Sequence, residues 1–428
     1  MASSLDTVAH DILIGNDLGG YTIPTKGLYP YQWNWDSVFV ALGFATFDLN
    51  RAWRELETLF EGQWTDGMLP HILFRKNDPG YFPGPDVWKT THEPFPTSGH
   101  SQPPVAAIVV RDLYEQSPTP ENAARAKALF PKLMAWHRWW ATYRDPSGEG
   151  SVAIIHPWES GRDNLPDWDE PLSLVDTSGI EAYERKDTTH VDASVRPRKL
   201  DYDRYMAILQ SGRAVGWDPV KVVENSPFLV ADPAITMILL RANRDLLALA
   251  ASLGIDEAKA EIEGWIARLE KGAASLWNEE VQAFTTKNLR SGVRGAGVSS
   301  AAFLAPFAGV GTPDQLAAMR AHFDRIAAKA TFTVPSYDPD YPGFEPMRYW
   351  RGPIWAVVNY MIARGLAESG DAERSERVRA DTERLVALSG FAEYFSPIDG
   401  TGAGGRSFSW TAAVWLAWVS PQRQVQAA

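Results

Sequence analysis

The chain of 428 residues contains no cysteine, which excludes disulfides, thiolate metal sites and a thiol nucleophile. Histidine is sparse. The eight present are scattered, with no HExxH or other ligand spacing, so the expected metal complement is none. No uncharged apolar run approaches membrane-spanning length, and no membrane partner is expected. The N-terminus, MASSLDTVAHDILIGND, lacks a basic region followed by an apolar stretch; it does not read as a secretory signal, and a cytoplasmic location is expected. Basic residues fall short of acidic ones, 41 against 53, for a net charge of −12. That balance argues against a nucleic-acid or phosphate-rich partner. Also missing are Gly/Ser linkers, strand–helix alternation of the doubly wound type, a dinucleotide fingerprint, a G-x-S-x-G elbow and an exact-period repeat.

Tryptophan is what the chain has in excess, with 18 copies. Flat indole faces suit the apolar C–H faces of sugar rings. Large all-α toroids also fill their cores with tryptophan, so the two readings stand side by side.

Most of the chain reads as helices joined by proline- and glycine-rich loops. Leu129, Leu133, Trp136, Trp140 and Tyr143 recur at spacings of four and three, one face of a helix over 120–143. Asp232-Pro233 and Thr312-Pro313 read as N-caps followed by proline in the first helical position, and Gly254 and Gly390 as stops. Further helices are expected at 36–60, 104–116, 256–277, 353–368, 371–389 and 407–419. The segment 144–230 is richer in Pro, Asp, Arg and Ser, and its helical periodicity is poor. It is expected to be an inserted cap which, with loops near 62–100 and 331–350, closes over a helical scaffold. The expected fold is all-α: two concentric rings of helices forming a single catalytic domain over 1–428.

Two carboxylates stand out for their settings. Asp163 lies in HPWESGRDNLPDWD with Glu159, Arg162, Asp167 and Asp169 close by, and Trp158 and Trp168 beside them. Like-charged neighbours and desolvation are what keep a general acid protonated; a surface acidic loop is the plainer alternative. Glu393 lies in FAEYFSPIDGTGAGGRSFSWTAA, whose glycines permit close approach of backbone to substrate and form no phosphate loop. As an ionised carboxylate it would serve as a general base facing a water; it is otherwise an ordinary loop residue. A pair of carboxylates is the machinery of glycoside hydrolysis. In YPYQWNWD, Asp36 stands with Trp33 and Trp35 where a loop enters a helix. It is either an acceptor for sugar hydroxyls or a helix N-cap. MRYWRGPIW offers Tyr349, Trp350, Arg351 and Trp355, and VDASVRPRKLDYDRY offers Arg196 and Tyr202. A pocket arginine binds a substrate carboxylate through two parallel hydrogen bonds, whereas an arginine in a loop more often pairs with a protein carboxylate.

Taken together, YPYQWNWD, GQWTDGMLPHILF, GYFPGP, SQPPV, WESGRDN, YDRY, YWRGPIW and FAEYFSPIDG…SWTAA resemble, in order, glycoside hydrolase family 63, and within it the bacterial mannosylglycerate and glucosylglycerate hydrolases. The resemblance implies a six-fold double helical (α/α) barrel and inversion at the anomeric carbon without metal or organic cofactor. It implies Asp163 as general acid and Glu393 as general base. Trp33, Trp35, Asp36, Arg351 and Trp355 would line the subsite of the cleaved sugar, with Arg162 a further substrate-binding candidate. Tyr81, Gln102, Arg196 and Tyr202 would hold glycerate, with Tyr349 and Trp350 on a loop closing over it. The expected partner is a small carbohydrate, most simply glucosylglycerate or mannosylglycerate; a homo-oligomer stays open. Rival readings are an α-glucosidase acting on trehalose-, kojibiose- or nigerose-like oligosaccharides, and a non-catalytic sugar-binding protein.

Overall fold

A computed structural model describes residues 4–421. Twelve helices make the scaffold: α1 (Ser4–Asn16), α2 (Asn34–Phe44), α3 (Leu49–Leu59), α4 (Ala106–Gln116), α5 (Pro120–Tyr143), α6 (Pro233–Leu253), α7 (Lys259–Ser275), α8 (Ala305–Ala308, lengthened by a 3-10 turn over Ser300–Leu304), α9 (Pro313–Ala327), α10 (Ala356–Glu368), α11 (Ala372–Ser389) and α12 (Ser409–Val414, running into a π turn over Trp415–Val419). The even-numbered helices pack in sequence, α2 on α4, α4 on α6, then α8, α10 and α12, and α12 returns to α2. They form a closed inner ring of six. Odd-numbered helices lie outside it, among them α1 on α12, α3 on α2, α7 on α6 and α11 on α10, while Phe323 of α9 packs edge-on against Phe303 beside α8.

Composition follows position. Every residue of α2 is buried, as is every residue of α12, because an inner helix has neighbours on all sides. The outer α11 buries only Val378, Asp381, Thr382, Leu385 and Val386, a single stripe facing inward. The caps read from the sequence hold. Asp232 accepts from Ala234 N at 2.9 Å, Thr312 and Gln315 form a reciprocal capping box, and Gly254 takes φ = +70° at the end of α6, a left-handed conformation suited to glycine. Thr119 caps α5, whose buried face includes Leu129, Leu133, Trp136 and Trp140.

Three expectations need correction. The helix expected over 36–60 is two helices, because Asp48 accepts from Arg51 N at 2.9 Å and starts α3 afresh. The N-terminal α1 is absent from the expected helices; its buried stripe of Ala9, Ile12 and Leu13 is too narrow to dominate the local pattern. The 144–230 segment contains a sixteen-residue helix, Lys199–Ala214, whose buried face is Tyr202, Tyr205, Met206, Ile208 and Leu209. Its aromatic residues hide the helical period among charged neighbours. The ends of the same segment come together as short antiparallel strands, with Ala153 opposite Ala231 and Ile154 opposite Val230.

Loop lengths divide the barrel into two unlike ends. Each inner helix up to α10 passes to the next outer helix through a short turn: 45–48, 117–119, 254–258, 309–312 and 369–371. The connections from outer to inner helix are long: 17–33, 60–105, 144–232, 276–299, 328–355 and 390–408. Because each tight turn reverses the chain, the six inner N-termini share the end that carries the long loops. Orphan N–H groups and the positive ends of helix dipoles therefore collect there, where carboxylates are favoured.

Candidate active site

The main pocket opens at that end and holds about 760 Å³ of empty space including its mouth, within the range of small-molecule sites. Five of the six long loops meet in it. Loop 17–33 supplies Tyr29 and Trp33, with Trp35 and Asp36 following in the first turn of α2. Loop 60–105 supplies His71, Tyr81 and Gln102; loop 144–232 supplies Trp158, Asp163, Asp187, Arg196 and Tyr202; loop 328–355 supplies Tyr349; and loop 390–408 supplies Glu393, with Trp410 just beyond it.

Glu393 is 1 % exposed and heavily held. Its Oε1 accepts from Tyr29 Oη at 3.1 Å and Tyr349 Oη at 3.0 Å, and its Oε2 accepts from Gly405 N at 2.9 Å. The glycine-rich stretch explains itself here. Gly404 has φ = +73°, and a Cβ on it would stand 2.2 Å from Glu393 Oε2. The turn after strand Gly402–Ala403 thus folds its backbone onto the carboxylate, which only glycine allows. Burial pushes Glu393 above the ordinary glutamate range, while Arg196 and these three donors oppose it by favouring the charged form.

Asp163 is dressed differently. Its backbone carbonyl accepts from Tyr205 Oη at 2.7 Å, but among the described residues no side chain donates to its carboxyl. The carboxyl is surrounded by protein yet faces the open pocket. Burial pushes it up to about 7, with the positive charge of Arg196 opposing and the negative charge of Glu393 adding. Asp36 is also raised well above the aspartate range, by burial first and then by Glu393. One pocket therefore holds a carboxylate supplied with three donors and a carboxyl biased toward the neutral form. Such a difference in environment is what an acid and a base acting together require.

Electrostatics continue through Arg196, which is 6 % exposed. Its Nε donates to Asp187 Oδ2 at 3.0 Å and its Nη1 to Tyr29 Oη at 3.1 Å, and its guanidinium lies 4.1 Å from the centre of the Tyr349 ring. No described residue accepts from its Nη2. Gln102 Oε1 accepts from Trp35 N at 3.1 Å, so this side chain orients the start of α2.

Of the residues expected at the site, Trp33, Trp35, Asp36, Tyr81, Gln102, Asp163, Arg196, Tyr202, Tyr349 and Glu393 line the pocket. Four do not. Arg162 is 2 % exposed and ion-paired with Asp232, the cap of α6. Trp350 and Trp355 are both 1 % exposed and stack face to face at 3.8 Å. Arg351 makes a bidentate pair with Asp169, both bonds 2.7 Å. All four are turned onto protein groups behind the pocket wall: the two arginines onto carboxylates, the two indoles onto each other. The alternative of Asp36 as an N-cap also falls. The cap position of α2 belongs to Trp33, with no side-chain bond, and Asp36 sits three residues inside with its carboxyl toward the pocket.

Among the pocket residues that escape sequence reasoning, Tyr29 and Asp187 are the ones bonded to Glu393 and Arg196. Tyr29 is the first residue of the motif YPYQWNWD and carries no chemistry of its own in the sequence; Asp187 matters only because the fold sets it against Arg196.

The family of the mannosylglycerate hydrolase MGH1-like glycoside hydrolase domain matches residues 29–411. The chain belongs to this glycoside hydrolase family. It is 48 % identical over 413 residues to the mannosylglycerate hydrolase of Thermus thermophilus, covering 96 % of this chain and 99 % of that one. It is 34 % identical over 432 residues to the glucosylglycerate hydrolase of Mycolicibacterium hassiacum, covering 95 % and 96 %. Among solved structures, the GH63 mannosylglycerate hydrolase of Thermus thermophilus in complex with Tris and D-glycerate superposes with a TM-score of 0.94 at 48 % identity, covering 97 % of this chain and 99 % of that one.

For a glycoside hydrolase with these two carboxyls, the pH dependence follows from their environments. A general acid works protonated, so if Asp163 holds that role kcat/KM should fall as pH rises through about 7. A general base works ionised, so if Glu393 holds that role the acidic limb should lie above the 4.5 of an ordinary glutamate. A kcat/KM profile from about pH 4 to 9 should be bell-shaped. A flat profile between about pH 6 and 8 would contradict the assignment of Asp163.

Proposed function

We propose that this chain is an inverting α-glycosidase that hydrolyses a small α-mannoside or α-glucoside of glycerate. Asp163 protonates the glycosidic oxygen, and Glu393 takes a proton from a water on the opposite face of the sugar ring, so that one displacement cleaves the bond and inverts the anomeric carbon. Asp36, Trp33 and Trp35 hold the cleaved sugar: the carboxyl oxygens of Asp36 accept hydrogen bonds from its hydroxyls and the indoles cover its C–H faces. Arg196 holds the glycerate carboxylate through its unengaged Nη2, with Tyr81, Gln102 and Tyr202 around it.

The observation that carries this is the contrast between the two carboxyls in one pocket: Glu393 with three donors, Asp163 with no side-chain donor and raised to about 7. The glycerate assignment draws on the names of the relatives, and on a buried arginine with a spare N–H in the same pocket.

Hydrolysis of a panel of glucosylglycerate, mannosylglycerate, trehalose, kojibiose and nigerose, followed by NMR, tests both parts. The β anomer of the sugar should appear first, and the glycerate glycosides should be turned over best. First release of the α anomer would overturn the mechanism; preference for a disaccharide would overturn the substrate. The carboxylate contact has a separate test. Arg196→Lys keeps the charge but loses the planar fork. It should lower kcat/KM on a glycerate-bearing glucoside by about tenfold to a hundredfold, with little effect on the glycerol-bearing one. Equal losses on both would remove Arg196 from carboxylate recognition.

A further inference from the structure

Arg351 lies in a motif whose resemblance implied a sugar contact, yet its guanidinium points away from the pocket. Nη1 and Nη2 donate to the two oxygens of Asp169, each at 2.7 Å. The fork-on-carboxylate geometry fixes orientation as well as distance. Asp169 follows Asp163 on one loop, and Arg351 follows Tyr349 on another, so the ion pair joins the stretch carrying one carboxyl to the stretch whose Tyr349 donates to Glu393 at 3.0 Å.

A second contact makes the same join. Tyr337 Oη donates to Asp167 Oδ1 at 2.5 Å; Tyr337 is fully buried and Asp167 8 % exposed. Between Asp167 and Asp169, Trp168 is fully buried and donates its indole N–H to Arg162 O at 2.7 Å, tying the pair of aspartates back to the residue before Asp163. On the other side the backbone is equally constrained. Ser336 Oγ donates to Trp350 O at 3.0 Å, Tyr349 N donates to Val195 O at 2.9 Å, and the Trp350 ring stacks on Trp355. Rigid segments thus run from each carboxyl to a bidentate contact between them.

We propose that Arg351 and Asp169 are positioning residues for hydrolysis, a clamp that fixes the separation of Asp163 from Glu393. This rests on those two carboxyls acting as acid and base. An inverting site must leave room for a water between one carboxyl and the sugar, so their spacing is a mechanistic variable. A displacement of about 1 Å costs roughly a hundredfold in rate. The pair is half exposed at Asp169 and buried at Arg351, so only its acidic end is screened by solvent. The effect of the pair is on geometry.

The test is a double-mutant cycle on the full-length enzyme with Asp169→Asn, Arg351→Lys and the two combined, measuring kcat and KM separately on a glycerate glycoside. Asp169→Asn keeps the shape of the residue and one acceptor for the buried guanidinium, and a thermal melt of each variant separates loss of folding from loss of geometry. Each single change should lower kcat by about 10- to 100-fold with KM changed less than about threefold, and the double variant should lose no more than the worse single one. An Arg351→Lys loss confined to KM, with Asp169→Asn silent, would make Arg351 a substrate ligand and overturn the clamp. So would unchanged kcat in Asp169→Asn, or losses that multiply. Asp163→Ala and Glu393→Ala run alongside: activity surviving in those would remove the acid–base reading itself, whereas their inactivity beside a fully active Asp169→Asn would remove only the clamp.

Discussion

Asp163→Ala should lower kcat on a glycerate glycoside by about 10²- to 10⁴-fold, the usual contribution of a general acid, while an aryl glycoside with an activated leaving group loses about tenfold or less. The difference follows from the acid's task. Glycerate departs as an alkoxide unless a proton reaches its oxygen, whereas an activated phenol leaves unaided. Asp163 suits the task because burial raises its carboxyl to about 7 and no described side chain engages it. The fold should tolerate the change for the same reason: the carboxyl faces the pocket, and what anchors the loop is its backbone carbonyl, bonded to Tyr205. Steady-state rates on the two substrate types give the comparison. Equal losses on both would mean that Asp163 does something other than protonate the leaving group.

Glu393→Ala should be as damaging, by about 10²- to 10⁴-fold in kcat, and its signature is chemical rescue. With the carboxylate gone, a small anion such as azide can occupy the face from which water attacks and needs no base. Turnover should recover with added azide, and the product should be the β-glycosyl azide from an α-glycoside. The tight packing of Gly404 and Gly405 on the carboxylate makes truncation open a space at that point. Tyr29, Tyr349 and Arg196 then remain as donors and charge around the anion. Activity near that of the unaltered enzyme, or rescue that yields only free sugar of retained configuration, would sink Glu393 as the base. Both substitutions test groups that act as one unit, so their effects should not multiply in the double variant.

Helix boundaries with local chemistry are legible in the sequence. Asp232, Thr312 and Gly254 cap and stop their helices as read, because those signals act over three or four residues. The split between α2 and α3 is not legible, since 36–60 stays apolar enough to pass for one helix and Asp48 looks like any surface aspartate. The helix Lys199–Ala214 is hidden for the opposite reason: its buried face is built from tyrosines and a methionine rather than a plain aliphatic stripe.

The site divides in the same way. Asp163, Glu393, Asp36 and Trp33 are recognisable because carboxylates among tryptophans and glycines do not belong on a solvated surface. Arg351, Trp350 and Trp355 share that look and lie behind the wall, because the fold turns the Arg351 guanidinium onto Asp169 and stacks the two indoles on each other. Sequence determined the inventory here: a cysteine-free, tryptophan-rich helical chain with two candidate carboxyls and the motifs of a glycoside hydrolase family. The tertiary structure decided which groups face one another. Alternating short turns and long loops gathers five loops at one end of the barrel, and only there does Asp163 come under the field of Glu393 and Arg196. A carboxyl's protonation depends on burial and charge through space, and neither quantity is written along the chain.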